Sequence, residues 1–297
     1  MNDRIVVGLD GTRESVAAGQ WAAREAHLRN APLHLVHAEE STAPLDAPSP
    51  TADVRRHWTD ALLSEAADDL LTSQAGVVVS TESIDGPPAA SLTRIAEDAS
   101  MLVLGSRGLG SLTGYILGSV AMAVVHTTER PVVLVRAGED AEASSGSTHT
   151  HDRPLVVGLD LSRPCDTLLS FAFAEASLRD CALHAVFSWK LPPVAGYGSA
   201  YDPRVHAQLD LSARTSLSDV LRPWREKYPA IDVIEHASAG HPAHQLLEKA
   251  SGAGLLIVGR RIRRSPVGAH IGPVTQAVIH HARVPVAVIA HRRRRSV

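Results

Sequence analysis

Residues 105–120 read Gly105-Ser-Arg-Gly108-Leu-Gly-Ser-Leu-Thr-Gly-Tyr-Ile-Leu-Gly118-Ser119-Val120. This stretch follows a strand-like apolar run at residues 101–104 and precedes a helical pattern, and its spacing is G-x2-G-x9-G-S. Gly105 and Gly108 stand where a side chain would obstruct a ligand or the turn. At Gly118 and Ser119 the next helix opens with unpaired N–H groups that favour a phosphate, although serine is also a common helix cap. The stretch therefore predicts a strand, a phosphate-binding loop and a helix in an α/β protein.

The chain contains two copies of one pattern. Residues 5–10, Ile-Val-Val-Gly-Leu-Asp, recur at 155–160 as Leu-Val-Val-Gly-Leu-Asp, an offset of 150. Two later strand-like runs recur at an offset of 154, so the second copy carries four extra residues: Met101–Gly105 as Leu255–Gly259, and Pro131–Val135 as Pro285–Ile289. A repeat of this length is too long for a solenoid, so each copy is expected to be a domain. A chain of 297 residues suits two domains, since one core seldom grows beyond about 250 residues.

The composition between and after the copies sets the predicted boundaries. We predict domains at 1–137 and 153–291, a linker at 138–152 rich in Gly, Ser, Thr and acidic residues, and a basic tail at 292–297. The tail is interpreted as a solvated terminus without a specific nucleic-acid partner. His149 and His151 lie in the linker, and two histidines there are weak evidence for a metal site, so none is predicted.

Short apolar runs alternate with longer helical patterns in each copy, which is typical of a parallel sheet. In the first copy the continuous run Val77-Val78-Val79 predicts a strand buried on both faces. Right-handed crossovers place all loops after strand C-termini on one edge, where open α/β sheets bind ligands. The predicted strands lie near 4–9, 33–38, 77–82, 101–105 and 131–136, and the predicted helices near 13–29, 52–74, 88–98 and 118–128.

Composition narrows the protein class. Hydrophobic residues make up 44% of the chain and the formal net charge is -3, which gives no global bias toward nucleic acid or an anionic membrane. The longest apolar runs are far below the roughly 20 residues of a membrane span. Residues 1–4 run straight into a strand pattern and leave no room for a signal peptide. We therefore expect a cytoplasmic protein that makes no membrane contact.

These motifs resemble the universal stress protein family, specifically its ATP-binding branch with tandem domains. The resemblance rests on the G-x2-G-x9-G-S loop, on a first strand that ends in Asp10, and on the final strand at 131–135. It implies two Rossmann-like domains of the adenine-nucleotide alpha-hydrolase-like type, each a five-stranded mostly parallel sheet flanked by helices, with strand order 3-2-1-4-5. It also implies ATP, with or without Mg2+, as the ligand. The positions that match the family's ATP contacts are Gly8, Asp10, Ala38, Leu104, Gly105, Gly108, Gly118, Ser119 and Val120.

Two charged residues of this predicted site can each be interpreted in two ways. Asp10 lies between a strand and a helix and is either a helix cap or a ligand residue. Because a carboxylate cannot usefully face a triphosphate without a metal, the ligand interpretation places Asp10 on the ribose, on the adenine edge or on Mg2+, and we favour the nucleoside. Arg107 either binds a phosphate in bidentate fashion or is a solvated surface side chain.

The second copy departs from the motif. Leu161 replaces Gly11, Ile262 stands where the loop needs its second glycine, and Pro273 stands where it needs Ser or Thr. Proline removes a backbone donor that a phosphate would use. The four arginines at 260, 261, 263 and 264 can still attract an anion. ATP, another anionic ligand and a purely structural domain all remain open, and the substitutions favour the last two.

The sequence gives less support to other functions. No G-x4-G-K-(S/T) occurs and the first copy has no lysine, which disfavours a P-loop NTPase. A dinucleotide fingerprint belongs after the first strand, where only Gly8 and Gly11 occur. No catalytic set is evident, and Cys165 is either activated by a helix N-terminus or inert. The leading prediction is an ATP-binding stress-response regulator whose occupancy changes its conformation or partners. The alternative is an ATP-using enzyme, a slow hydrolase or phosphotransferase of unknown substrate.

The last strand of each copy is apolar, at 131–135 and at 285–289. Exposed apolar edge strands are usually paired or covered. In the family that the chain resembles, this strand joins domains. We therefore predict edge-strand pairing within the chain and a homodimer.

Overall fold

The computed structural model describes residues 3–40, 52–106, 118–138, 153–189, 203–262 and 271–291. The chain divides into two compact units, Met1–Gly146 and Ser147–Val297. Each is an α/β domain built on a parallel sheet. We call them the first and the second domain.

The described part of the first domain alternates strands with helices. Its sheet order is β3-β2-β1-β4-β5 with parallel neighbours, which confirms the predicted fold class and strand order. The elements are β1 (Ile5–Gly8), α1 (Arg13–Arg29), β2 (Leu33–Glu39), α2 (Ala52–Ser73), β3 (Val79–Asp85), α3 (Pro88–Ala96), β4 (Met101–Gly105), α4 (Ser119–Thr127) and β5 (Val132–Val135).

Local chemistry fixes both ends of α1. The Thr12 side chain accepts a hydrogen bond from the Ser15 N–H at 3.3 Å and so caps the first turn. Asn30 ends the helix in the left-handed region at φ 50°, a conformation that asparagine tolerates. Between these residues an alanine-rich face is buried against the sheet.

The third strand of the first domain differs from the prediction. Val77 is buried, but Val78 is 70% exposed and β3 begins only at Val79. Within this domain β3 is the edge strand and pairs with β2 alone, so most of its residues stay exposed. The valine run therefore leads into an edge strand, and the prediction of burial on both faces was wrong.

The second domain repeats the arrangement. Its sheet order is β10-β9-β6-β7-β8, again with parallel neighbours. None of the described helices in either domain combines the length and apolarity needed to cross a membrane. The elements are β6 (Leu155–Leu159), α5 (Asp166–Arg179), β7 (Leu183–Trp189), α6 (Pro203–Lys227), β8 (Val233–Ala239), α7 (Pro242–Lys249), β9 (Leu255–Arg261), α8 (Pro273–His281) and β10 (Val286–His291).

Candidate functional site

The carboxyl ends of β1, β2 and β4 meet at one edge of the first sheet. Gly8 is in register with Val36 on one side and with Leu104 on the other. Ala38 lies two residues further along β2 and is half-buried. The structure thus brings the predicted positions Gly8, Ala38, Leu104 and Gly105 to the edge where ligands of such sheets bind.

Gly105 is required by packing. A Cβ atom at this position would lie 2.6 Å from the Glu14 carbonyl carbon and 2.7 Å from the Ser15 nitrogen. Both are backbone atoms of the first turn of α1, which cannot move aside as a flexible side chain could. Gly105 therefore lets α1 begin directly against the end of β4.

Asp10 is exposed at this edge and does not cap α1. Its Oδ1 accepts hydrogen bonds from the Thr12 N–H at 3.1 Å and from the Thr12 hydroxyl. Thr12 is the residue that caps the helix, so the helix-cap interpretation of Asp10 was wrong. Gly11 adopts φ 76°, a left-handed conformation that glycine reaches without strain.

The phosphate side of the predicted site is described from Gly118 onward. Gly118 occupies the cap position of α4 with φ -60° and ψ 149°, and no side chain caps this helix. Ser119 is the first helical residue and is exposed, so it does not act as the cap. The N–H groups of the first turn, including that of Val120, therefore keep the donor capacity that a phosphate uses. The predicted residues Arg107 and Gly108 lie outside the described part of the chain.

Sequence reasoning missed His37 at the same edge. Its Nδ1–H donates to the Leu9 carbonyl oxygen at 2.8 Å, which ties β2 to the loop after β1. The ring packs edge-on against Trp58 of α2 at 5.5 Å between centroids. Its Nε2 is buried without a hydrogen-bond partner in the described part of the chain, and Glu39 Oε2 lies 3.9 Å away. The one signal in the sequence was that His37 directly precedes Ala38, a predicted ligand contact.

The second domain has a different loop after its first strand. Asp160 accepts a hydrogen bond from the Ser162 N–H at 3.2 Å and forms an ion pair with Arg163 at 3.0 Å. The Arg163 N–H also donates to the Asp160 carbonyl oxygen at 3.1 Å, which closes a turn. Leu161 has no left-handed φ, so the chain cannot enter the helix as it does at Gly11, and α5 begins only at Asp166.

The other strand ends of the second domain also differ. The His291 ring lies over Gly259, where an added Cβ would meet it at 3.1 Å. Pro273 is the first residue of α8, as its replacement of Ser119 in the motif suggested. Arg260 is 3% exposed at the end of β9. Arg263 and Arg264 lie outside the described residues.

Burial sets the chemistry of Cys165 at the cap position of α5. Burial, together with the Asp166 carboxylate, raises the pKa of its thiol to about 11. The thiol is therefore protonated at neutral pH, which favours the inert interpretation over the activated one. A cavity of about 430 Å³ opens beside Cys165 and is also lined by Arg163, Asp219 and Trp224.

The described residues contain no group of three or more His, Cys, Asp or Glu side chains close enough to hold a metal ion. The predicted linker histidines lie outside these residues. The first-domain edge therefore offers backbone donors, a carboxylate, and a buried imidazole packed against an exposed indole, which suits binding of a polar ligand.

Comparison with known proteins gives consistent matches along the chain. A model of the universal stress protein family matches residues 1–136 and 153–290. The chain is 32% identical over 291 residues to a universal stress protein of Mycobacterium tuberculosis, covering 96% of both chains. It is 32% identical over 303 residues to one from Mycolicibacterium smegmatis, covering 97% of both. A crystal structure of a universal stress protein from Archaeoglobus fulgidus matches with a TM-score of 0.67 at 20% identity, covering 98% of this chain and 99% of that one, which shows a shared fold.

Proposed function

Because the chain belongs to the universal stress protein family, we propose that its first domain binds ATP and that occupancy regulates its conformation or partners. One observation carries the proposal. The uncapped start of α4 at Gly118 ends the G-x2-G-x9-G-S stretch, which begins at the end of β4 next to the end of β1. Such an arrangement favours a ligand with both phosphates and a polar nucleoside.

The nucleoside end is proposed at Asp10 and Ala38. Asp10 is exposed and held in orientation by its hydrogen bonds from Thr12, which suits an acceptor for a ribose hydroxyl or an adenine amine. The Ala38 side chain is a single methyl group and so leaves space for the nucleoside. The exposed part of the Trp58 indole, 49% of the residue, adds an apolar wall next to Gly11.

The phosphate end is proposed at the loop and at the start of α4. The N–H groups of Ser119 and Val120, the glycine positions Gly105 and Gly108, and the Arg107 guanidinium are the groups assigned to the phosphates. Mg2+ can bridge phosphate oxygens there, because hard cations prefer oxygen ligands. Among the described residues no base stands out beside this end, so a binding role is favoured over an enzymatic one.

Mass spectrometry of the nucleotide released from freshly purified protein tests the proposal. We expect one adenine nucleotide per chain. Asp10→Ala should lose it, whereas Asp160→Ala, the matched change in the second domain, should retain it. Absence of any adenine nucleotide under conditions that retain tight ligands would refute the proposal.

A turnover assay with Mg-ATP separates regulation from catalysis. We expect turnover well below about one per second. A faster rate that Asp10→Ala abolishes would replace the regulator with an ATP-using enzyme.

We also propose that the protein is cytoplasmic and forms a homodimer through its apolar edge strands. The strands concerned are β5 and β10, the last strand of each domain along the chain. Apolar edges of this kind invite pairing with another chain. Sedimentation equilibrium should show a dimer at micromolar concentration, and a monomer alone would contradict this assembly.

A further inference from the structure

Cationic side chains collect at the strand ends of the second domain. Arg163 follows β6, Arg260 and Arg261 end β9, and His291 ends β10. Arg261 and His291 are in register, and the Ile262 N–H donates to the His291 carbonyl oxygen at 3.0 Å. The loop after β6 and the ends of β9 and β10 thus share one edge of this sheet.

Part of this charge is particular to the second domain. Arg260 and His291 stand at the repeat positions that hold Ser106 and Ala137 in the first domain. In the first domain the Ser106 hydroxyl donates to the Val135 carbonyl oxygen at 3.2 Å, so that position is neutral. In the second domain the same position holds Arg260, which is buried and carries a charge.

The acidic residue of this edge is already engaged. The Asp160 carboxylate accepts from Ser162 and forms an ion pair with the Arg163 Nε at 3.0 Å. A ribose or adenine at this carboxylate would have to share it with Arg163 and Ser162. The Arg163 side chain is 46% exposed, and a guanidinium has further N–H donors beyond Nε.

His291 lies among these charges. Burial lowers the pKa of its imidazole, and the guanidinium groups of Arg163, Arg260 and Arg261 lower it further, while the Asp160 carboxylate opposes them. An anion placed among these groups would favour the imidazolium. The protonation of His291 is therefore a local reporter for anion binding at this edge.

We propose that the second domain binds a small phosphate-only polyanion at this edge through Arg163, Arg261 and His291, without a nucleoside. The helix here begins with Pro273, which lacks an N–H, so side-chain cations replace the backbone donors of a phosphate loop. The proposal does not depend on ATP binding in the first domain.

Titration of the full chain with inorganic pyrophosphate tests the proposal. Imidazole signals are followed by NMR, and His291 is assigned with His291→Gln. We expect pyrophosphate to raise the protonation midpoint of His291, while sodium chloride at equal ionic strength and adenosine leave it in place. Arg163→Gln and, separately, Arg261→Gln should each weaken this response about tenfold, the loss expected for one charge-assisted hydrogen bond.

Arg13→Gln is the matched control, because Arg13 is the first-domain counterpart of Arg163. It should leave the response of His291 unchanged. An unmoved His291 in wild-type protein at millimolar pyrophosphate overturns the proposal, even if pyrophosphate binds elsewhere on the chain. A response to ATP at lower concentration than to pyrophosphate overturns the claim that no nucleoside is bound.

Discussion

The two domains share one strand order but differ in the loop after their first strand. In the first domain Gly11 takes φ 76° and the chain enters α1 at Arg13. In the second domain Leu161 has no left-handed φ, the chain turns, and α5 begins three residues later in the repeat, at Asp166. The earlier helix start thus accompanies the left-handed glycine, whereas the second loop has Leu161 and, before its helix, Pro164.

The position of the helix decides what covers the neighbouring strand end. Backbone of the α1 first turn lies against Gly105, whereas the side chains of His291 and Leu168 lie near Gly259. Apolar strand patterns repeat and preserve the topology, while a few loop residues change the chemistry of the edge. The two copies therefore share one fold but differ in the chemistry of the edge at the carboxyl ends of their strands.

Alanine at the two strand-end glycines is the strongest test of this difference. Gly105→Ala should lower the free energy of unfolding of the first domain by about 3 kcal/mol, because its Cβ would overlap backbone atoms. Gly259→Ala should cost under about 1 kcal/mol, because the His291 side chain can shift. Hydrogen exchange of β4 and β9 peptides measures each domain by itself, since a two-domain protein need not unfold in one step. Equal losses would show that the helix start does not distinguish the domains.

Added ATP should stabilise the domains unequally. At a hundredfold excess over Kd, ATP adds about 2.7 kcal/mol to a domain that binds it only when folded. We expect this protection in β1 and β4 of the first domain and no comparable change in β6 and β9. Adenosine without phosphate should protect less, since it lacks contacts with α4. Equal protection of both domains would contradict the asymmetry.

Much of the fold can be predicted from the sequence because the patterns that define its strands and helices are local. Apolar runs located the strands, and helix patterns located α1 at both ends. Val78 was misjudged because its exposure depends on β3 being an edge strand, which the valine run does not record.

The contacts that distinguish the two edges are not local. The backbone of Glu14 meets Gly105, and the His291 ring covers Gly259, between residues far apart in the chain. The Arg163–Asp160 ion pair is close in sequence but depends on where α5 begins. The glycine motif was therefore visible in the sequence, while the reason for Gly105 and the engagement of Asp160 required coordinates.

A histidine pair offers a smaller test of the comparison. In the first domain His34 is buried and contacts Ser80 Oγ and Glu82 Oε2, each at 2.9 Å. At the equivalent positions of the second domain, His184 Nδ1 lies 3.4 Å from His236 Nε2. A protonated histidine thus meets a carboxylate in the first domain and another imidazole in the second.

This difference gives the second domain its own dependence on pH. Burial lowers the pKa of both His184 and His236, and the Lys249 ammonium lowers both further. The His184 imidazole also lowers the pKa of His236, while Asp232 opposes the shift at His184. Since the folded state disfavours the charged forms, their contribution to stability is present above about pH 6.5 and is lost as pH falls below it. Both residues are only partly buried, and solvent screening is expected to keep the loss under about 1 kcal/mol.

His236→Glu restores in the second domain the pairing that the first domain has, and Glu82→His makes the reverse change. We expect the first variant to reduce the loss of β7 and β8 protection on acidification from pH 7.5 to pH 5.5, roughly one unit to either side of the histidine midpoint. The second variant should introduce such a loss into β2 and β3. The reciprocal variants keep the strands and exchange only the partner of one imidazole. If the acid sensitivity stays with the domain and does not follow the exchanged residue, then this histidine pair is not its cause.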